Sequence, residues 1–108
     1  MDVSGLNVYL SGPMTGQADW NVHAFNLAEE CLLDSDAAWV FNPARSALRD
    51  NERGHEHYMT KDLHELTYHH DGNAFFHVIA MLPGWENSEG ARLEREVAIA
   101  CGMEVIYL

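Results

Sequence analysis

The chain has 108 residues, 47% of them apolar, with 17 acidic against 6 basic side chains and a formal charge of −11. That length suits one domain over residues 1–108, burying about 65% of its unfolded surface, and excludes general disorder. The charge excludes a nucleic-acid binder, which needs a basic stripe to displace counterions, and an anionic membrane surface, while one small anion could still be held by backbone N–H groups.

In chain order, residues 6–10 (LNVYL) read as a strand with β-branched and aromatic content. Residues 11–16 follow as a loop marked by Gly12, Pro13 and Gly16. Residues 20–33 show helical spacing through Trp20, Phe25, Leu27, Ala28, Cys31 and Leu32. Residues 34–36 form a turn, and residues 37–41 a second strand that stops at Asn42-Pro43. Residues 44–53 are ambiguous between a helical turn and a loop. Residues 55–68 read as a helix with Tyr58, Leu63 and Leu66 inward, closed by the turn residues 70–73. Residues 74–82 (AFFHVIAML) are nearly continuous apolar sequence, as in a central strand covered on both faces. After the loop 83–87, Ser88 caps a helix over 89–101 that Gly102 closes, and residues 103–108 form the last strand.

This alternation predicts an α/β fold: a single-domain, three-layer parallel sheet, Rossmann- or flavodoxin-like, with strand order 2-1-3-4 and helices on both faces. Ligands of such sheets bind beyond the carboxyl ends of the strands. That places the loop 12–16, Asn42 and the loop 83–88 at one rim. Cys31 and Cys101 are the only cysteines and lack disulfide or zinc spacing, which suits a reducing compartment. No signal pattern and no apolar run near the roughly 18 residues of a membrane span is present, so a cytoplasmic protein is expected.

The last long helix carries the sharpest clue. At about 100° per residue, Gly90, Ala91, Glu94, Val97, Ala98 and Cys101 share one stripe, and Glu94 is its only charged member. Glu89, Arg92 and Glu96 form the solvated face, with Arg92 spaced to pair with Glu96. An acid on an apolar stripe either points into a pocket or lies at the stripe's edge with its head in water. Ser88 and Gly90 open the same helix, as a plain cap or as an anion seat. Gly12 and Gly16 let the first loop approach a ligand closely.

Taken together, Val8-Tyr9-Leu10-Ser11-Gly12-Pro13-Met14-Thr15-Gly16, Ala24-Phe25-Asn26, Asn42-Pro43, Lys61-Asp62-Leu63 and residues 82–94 (LPGWENSEGARLE) resemble the nucleoside 2-deoxyribosyltransferase-like superfamily. The resemblance runs in order over nearly the whole chain. It is nearest to small, often phage-encoded members and more distant from deoxynucleoside-monophosphate N-glycosidases. It implies that Glu94 attacks C1′ of a deoxyribose, that Tyr9 positions Glu94, and that Asp62 assists at the base. It further implies that the first loop (Gly12, Met14, Thr15, Gly16) and Ser88 with Gly90 contact the sugar and any 5′-phosphate. Thr15 stands where phosphate-preferring relatives carry Arg, and Pro83 where transferases place a second Asp. The reaction implied is cleavage of an N-glycosidic bond in a deoxynucleoside or its 5′-monophosphate, by hydrolysis or transfer, with no cofactor and no metal. Such relatives associate, so a homodimer is expected.

Asn42 and Trp85 complete the expected binding residues by their rim positions, Trp85 either covering a base or packing on the sheet end. Phe75 and Phe76 read as core. His64-Glu65 and His69 miss the metalloprotease spacing by one residue, which sets the two imidazoles about 140° apart on a helix. Two other readings stay open: a non-catalytic nucleotide-binding domain, and an acidic interaction protein.

Overall fold

The computed structural model describes residues 2–45 and 54–108. The elements are β1 (Asn7–Ser11), α1 (Val22–Asp34), β2 (Trp39–Phe41), α2 (His55–Leu66), β3 (His69–His70), β4 (Asn73–Ala74), β5 (Val78–Met81), α3 (Glu89–Ala100) and β6 (Glu104–Tyr107). Most of the ambiguous stretch 44–53 lies outside the described residues.

β2, β1, β5 and β6 form one parallel sheet in that spatial order. Among the strands of this sheet alone, the order is the anticipated 2-1-3-4. The β1-α1-β2 crossover moves toward one edge and β5-α3-β6 toward the other. Right-handed crossovers then put their helices on opposite faces. The two core clusters agree. Val8, Leu10, Val78 and Ala80 pack with Phe25 and Leu32 of α1, while Tyr9, Ile79 and Met81 pack with Leu66 of α2 and Ala91 and Ala98 of α3. The period-2 alternation of β1 therefore sends residues 8 and 10 to one face and residue 9 to the other. Phe25, fully buried, is the kind of side chain whose burial contributes roughly 1.5–3 kcal/mol.

The helices α1 and α3 each end in a six-to-one closure. At α1 the Ala37 N–H donates to the Leu32 carbonyl (3.1 Å) and Asp36 N–H to Leu33 (3.0 Å), with Asp36 in the left-handed region at φ 67°. At α3 the Met103 N–H donates to Ala98 (3.0 Å) and Gly102 N–H to Ile99 (3.0 Å). Gly102, expected just past the helix end, supplies the φ of 80° that this closure needs.

Several expectations are corrected. The run 74–82 is not one strand: only Val78–Met81 joins the sheet, and Ala74 instead pairs antiparallel with His69. The cause is Asp71-Gly72, with φ of 51° and 80°, the two-residue turn chemistry that closes a hairpin. Between hairpin and sheet, the Asn7 amide donates to the Phe75 carbonyl at 2.8 Å, and the Asn7 N–H to His77 Nδ1 at 2.9 Å. Backbone bonds reach the same stretch: the His77 N–H donates to the Asn7 carbonyl at 2.9 Å and the Phe75 N–H to the Tyr68 carbonyl at 3.0 Å. His69 consequently lies beyond α2, in the hairpin. Trp20 precedes α1 rather than belonging to it, because Asp19, Trp20 and Asn21 take left-handed φ values of 49°, 55° and 62°. Cys31 and Cys101, read on apolar helix faces, are both exposed. Glu96 takes its neighbour Arg95 as partner at 3.1 Å. No helix among the described residues is long and apolar enough to cross a membrane.

Candidate active site

The first crossover leaves β1 toward one edge and the last leaves β5 toward the other. The carboxyl ends of these adjacent strands therefore open a crevice, the usual ligand position in an open parallel sheet. A cavity of about 790 Å³ lies there, within the range of small-molecule sites. Its wall includes Gly12, Met14 and Thr15 from the loop after β1, Tyr58 and Asp62 from α2, Leu82 and Pro83 after β5, and Ser88, Glu89, Gly90 and Glu94 from the start of α3.

Glu94 is 6% exposed, and both of its oxygens are engaged. Tyr9 Oη donates to Oε2 at 2.6 Å, and Ser11 Oγ donates to Oε1 at 2.6 Å. Both lengths fall in the range of O–H to carboxylate bonds, which are about twice as strong as neutral ones. Residues 9 and 11 can do this together because they sit two apart on β1, on the face that meets α3. Tyr9 Oη also lies 3.2 Å from the Asp62 carbonyl oxygen. A phenol has one proton, and the shorter contact to the charged oxygen takes it.

The Tyr9 ring is itself clamped. Phe41 stacks on it at 4.9 Å with an interplanar angle of 19°, and Phe76 meets its edge at 5.5 Å. Tyr9 is fully buried and Ser11 is 1% exposed, so packing fixes both donors before any ligand arrives. That arrangement suits an acceptor-only, ionised carboxylate held in one orientation.

Asp62 is the other buried acid of the cavity wall, 6% exposed, on the middle of α2. Tyr58, one turn before it, shares its helix face and also lines the cavity. Ser88 caps α3: its Oγ accepts the Ala91 N–H at 3.2 Å. Gly90 lies on the wall beside it.

Not every expected residue comes to the cavity. Asn42 is buried under the rim, where its amide donates to Asn26 Oδ1 at 3.0 Å and its Oδ1 accepts the Ala44 N–H at 2.9 Å. Both ends of that side chain thus hold the turn after β2. Trp85 packs away from the cavity wall, 5.7 Å from the Tyr107 ring and with Arg95 5.1 Å from its centroid. Gly16 sits at φ 81° in open space, off the lining. Gly12 does line the cavity, but its lack of a Cβ has a packing cause. A Cβ there would stand 2.8 Å from Leu82 Cβ, so glycine lets the chain ends leaving β1 and β5 cross closely.

Two residues escaped the sequence reading. Ser11 was legible in principle, since it follows Tyr9 by two on the same strand face. Glu29 on α1 is also buried (7% exposed), and Arg45 donates to it at 2.6 Å. The hydrogen bond and charge of Glu29 hold the Arg45 guanidinium above its ordinary value. This pair ties α1 to the turn after β2, with neither partner on the cavity wall.

No curated protein and no solved structure matches the chain. A family model described as a domain of unknown function, DUF4406, matches residues 6–107, an interval that runs from β1 to β6 and takes in every residue of the cavity wall. The chain belongs to the DUF4406 family.

Proposed function

We propose that this protein is an N-glycosidase acting on a deoxynucleoside or a deoxynucleoside 5′-monophosphate, with Glu94 as nucleophile. One observation carries the reading: a buried carboxylate on a cavity wall, each oxygen held at 2.6 Å by a packed hydroxyl. Burying a carboxylate is costly unless it is hydrogen-bonded, and two hydroxyls of one strand meet that cost while leaving the group aimed at a ligand-sized space. The resemblance to the nucleoside 2-deoxyribosyltransferase-like superfamily assigns the same roles to Glu94, Tyr9 and Asp62. A doubly wound, flavodoxin-like sheet with its site at the strand-order switch accords with it.

In this reading a Glu94 oxygen attacks C1′ as the C1′–N bond breaks, and the bonding pair leaves with the base. Positive charge builds at C1′ in the transition state, where a nearby carboxylate stabilises it most. Asp62 donates the proton that the departing base needs. Water then cleaves the glycosyl ester, releasing deoxyribose and restoring Glu94, while Asp62 takes the proton back. Pro83 on the wall, where transferases have an Asp, favours water over a second base as acceptor. Free base released from a panel of deoxynucleosides and their monophosphates tests the proposal. Binding of the panel without any release would favour the alternative, a nucleotide-binding domain that has lost turnover.

A further inference from the structure

We propose that residues 16–21 form a strap with two states: a closed, left-handed turn that lines the cavity, and an open, right-handed turn that lengthens α1 and takes Gln17 and Asn21 off the cavity wall. Backbone strain marks the segment. Asp19, Trp20 and Asn21 take φ of 49°, 55° and 62° in succession, and Gly16 before them takes 81°. Left-handed backbone brings Cβ against the following carbonyl oxygen, so L-residues visit it singly and not as a run. Asp and Asn tolerate it, whereas a bulky Trp is an outlier there. Strain of this kind gathers at ligand clamps and switches, where surrounding contacts hold it. The same residues have a relaxed alternative. Helical spacing in the sequence starts at Trp20, and α1 starts at Val22, directly after the strained run. Turning residues 19–21 right-handed continues α1 toward its N-terminus.

Local hydrogen bonds and one ring contact hold the closed form. The Gln17 N–H donates to the Met14 carbonyl at 3.0 Å and the Trp20 N–H to the Gln17 carbonyl at 3.2 Å. The Asn21 amide donates to the Pro13 carbonyl at 3.0 Å, which ties the strap to the loop after β1. The Trp20 ring lies 6.2 Å from that of Tyr58 on α2, at 58°, within the range of aromatic pairs. Residues 15–19 are exposed, so water competes for their backbone bonds and the segment sits at the low-stability end of the fold. Thr15, Gln17 and Asn21 line the cavity. A ligand that touches them binds the closed turn better than the open one and shifts the population toward it. The strap thereby couples occupancy of the site to the Trp20–Tyr58 contact.

The experiment reads Trp20 by fluorine NMR of the intact, ligand-free chain carrying 5-fluorotryptophan. Trp20→Phe identifies its resonance among the three tryptophans, and saturation transfer gives the ratio of closed to open. Asp19→Gly and Asp19→Ala set the bias. Both remove the same exposed carboxylate, but glycine escapes the left-handed penalty and alanine is the better helix former. The closed-to-open ratio of Asp19→Gly should exceed that of Asp19→Ala by on the order of tenfold or more, with the native chain between them. A strap that opens into disorder would respond in the opposite sense, since glycine frees an unordered segment, and that result would overturn the proposal. A single Trp20 resonance without exchange in all three proteins would overturn it too. These readings need no ligand, so their failure is distinct from that of the glycosidase reading, which base release tests. A deoxynucleoside that binds should then move the Trp20 resonance of Asp19→Ala to the closed position, and binding that leaves it in place would overturn the coupling of strap to site.

Discussion

Replacing Ser11 with alanine removes one oxygen atom at a site that is 1% exposed, and leaves Glu94 Oε1 without its 2.6 Å donor. A hydrogen bond to a charged group contributes about 1.5–3 kcal/mol, against about 0.5–1.5 kcal/mol for a neutral pair. The loss falls on a carboxylate that is 6% exposed, so solvent replaces little of it. The expected destabilisation is therefore about 2 kcal/mol, which lowers Tm by several degrees in a domain of this size. The cause is isolated by repeating the change in Glu94→Gln, where the acceptor is neutral. There Ser11→Ala should cost about half as much, giving a coupling of roughly 1 kcal/mol between the two positions. Thermal and urea unfolding of the four proteins measure it. Equal losses in both backgrounds would refute the claim that Ser11 acts on the Glu94 charge. Base release should also fall in Ser11→Ala, by about 10- to 100-fold, because a carboxylate that has lost one of its hydroxyl donors samples unproductive orientations.

Other consequences are as specific. Gly12→Ala should destabilise by about 1–3 kcal/mol, since its Cβ would sit 2.8 Å from Leu82 Cβ; an unchanged urea midpoint would contradict the crossing described. Ser88→Ala should cost about 1 kcal/mol through loss of the α3 cap, seen as a small drop in Tm. Tyr9→Phe should lower base release while its ring still packs between Phe41 and Phe76, so that near-ultraviolet circular dichroism keeps its shape. We further propose a homodimer, in keeping with the apolar side chains left outside on α1 (Leu27, Leu33) and α3 (Leu93, Ile99). Sedimentation at micromolar concentration should show about twice the 12.2 kDa chain mass, and a single species at the chain mass would refute it.

The parts of the fold that follow local rules were legible in the residues. The helical period of 89–101 marked α3, Ser88 and Gly102 marked its ends, and the apolar stripe singled out Glu94. Period 2 on β1 carried Tyr9 to the same face. What escaped depends on competition between local signals or on distant partners. The apolar run 74–82 looks like one strand by composition, and Asp71-Gly72 overrides its first residues by closing a hairpin. Trp20 fits a helical period, yet three successive left-handed residues hold it before α1. The acid of Glu29 answers to Arg45, sixteen residues away, and no local pattern reports such a pair. Asn42 and Trp85 occupy the rim, as their loops require, but rim position alone does not say whether a side chain turns toward the cavity or into the packing beneath it.

Glu94→Gln tests the central claim most directly. The substitution keeps the shape of the side chain and one carbonyl acceptor while removing the charge and the nucleophilic oxygen pair. Base release from a responsive deoxynucleoside should fall by on the order of 10²–10⁴, with ligand binding retained. Melting temperature measured beside it reports whether the fold survives. A Glu94→Gln protein that is folded, binds the deoxynucleoside and releases base at the native rate would remove Glu94 from the chemistry and contradict the account.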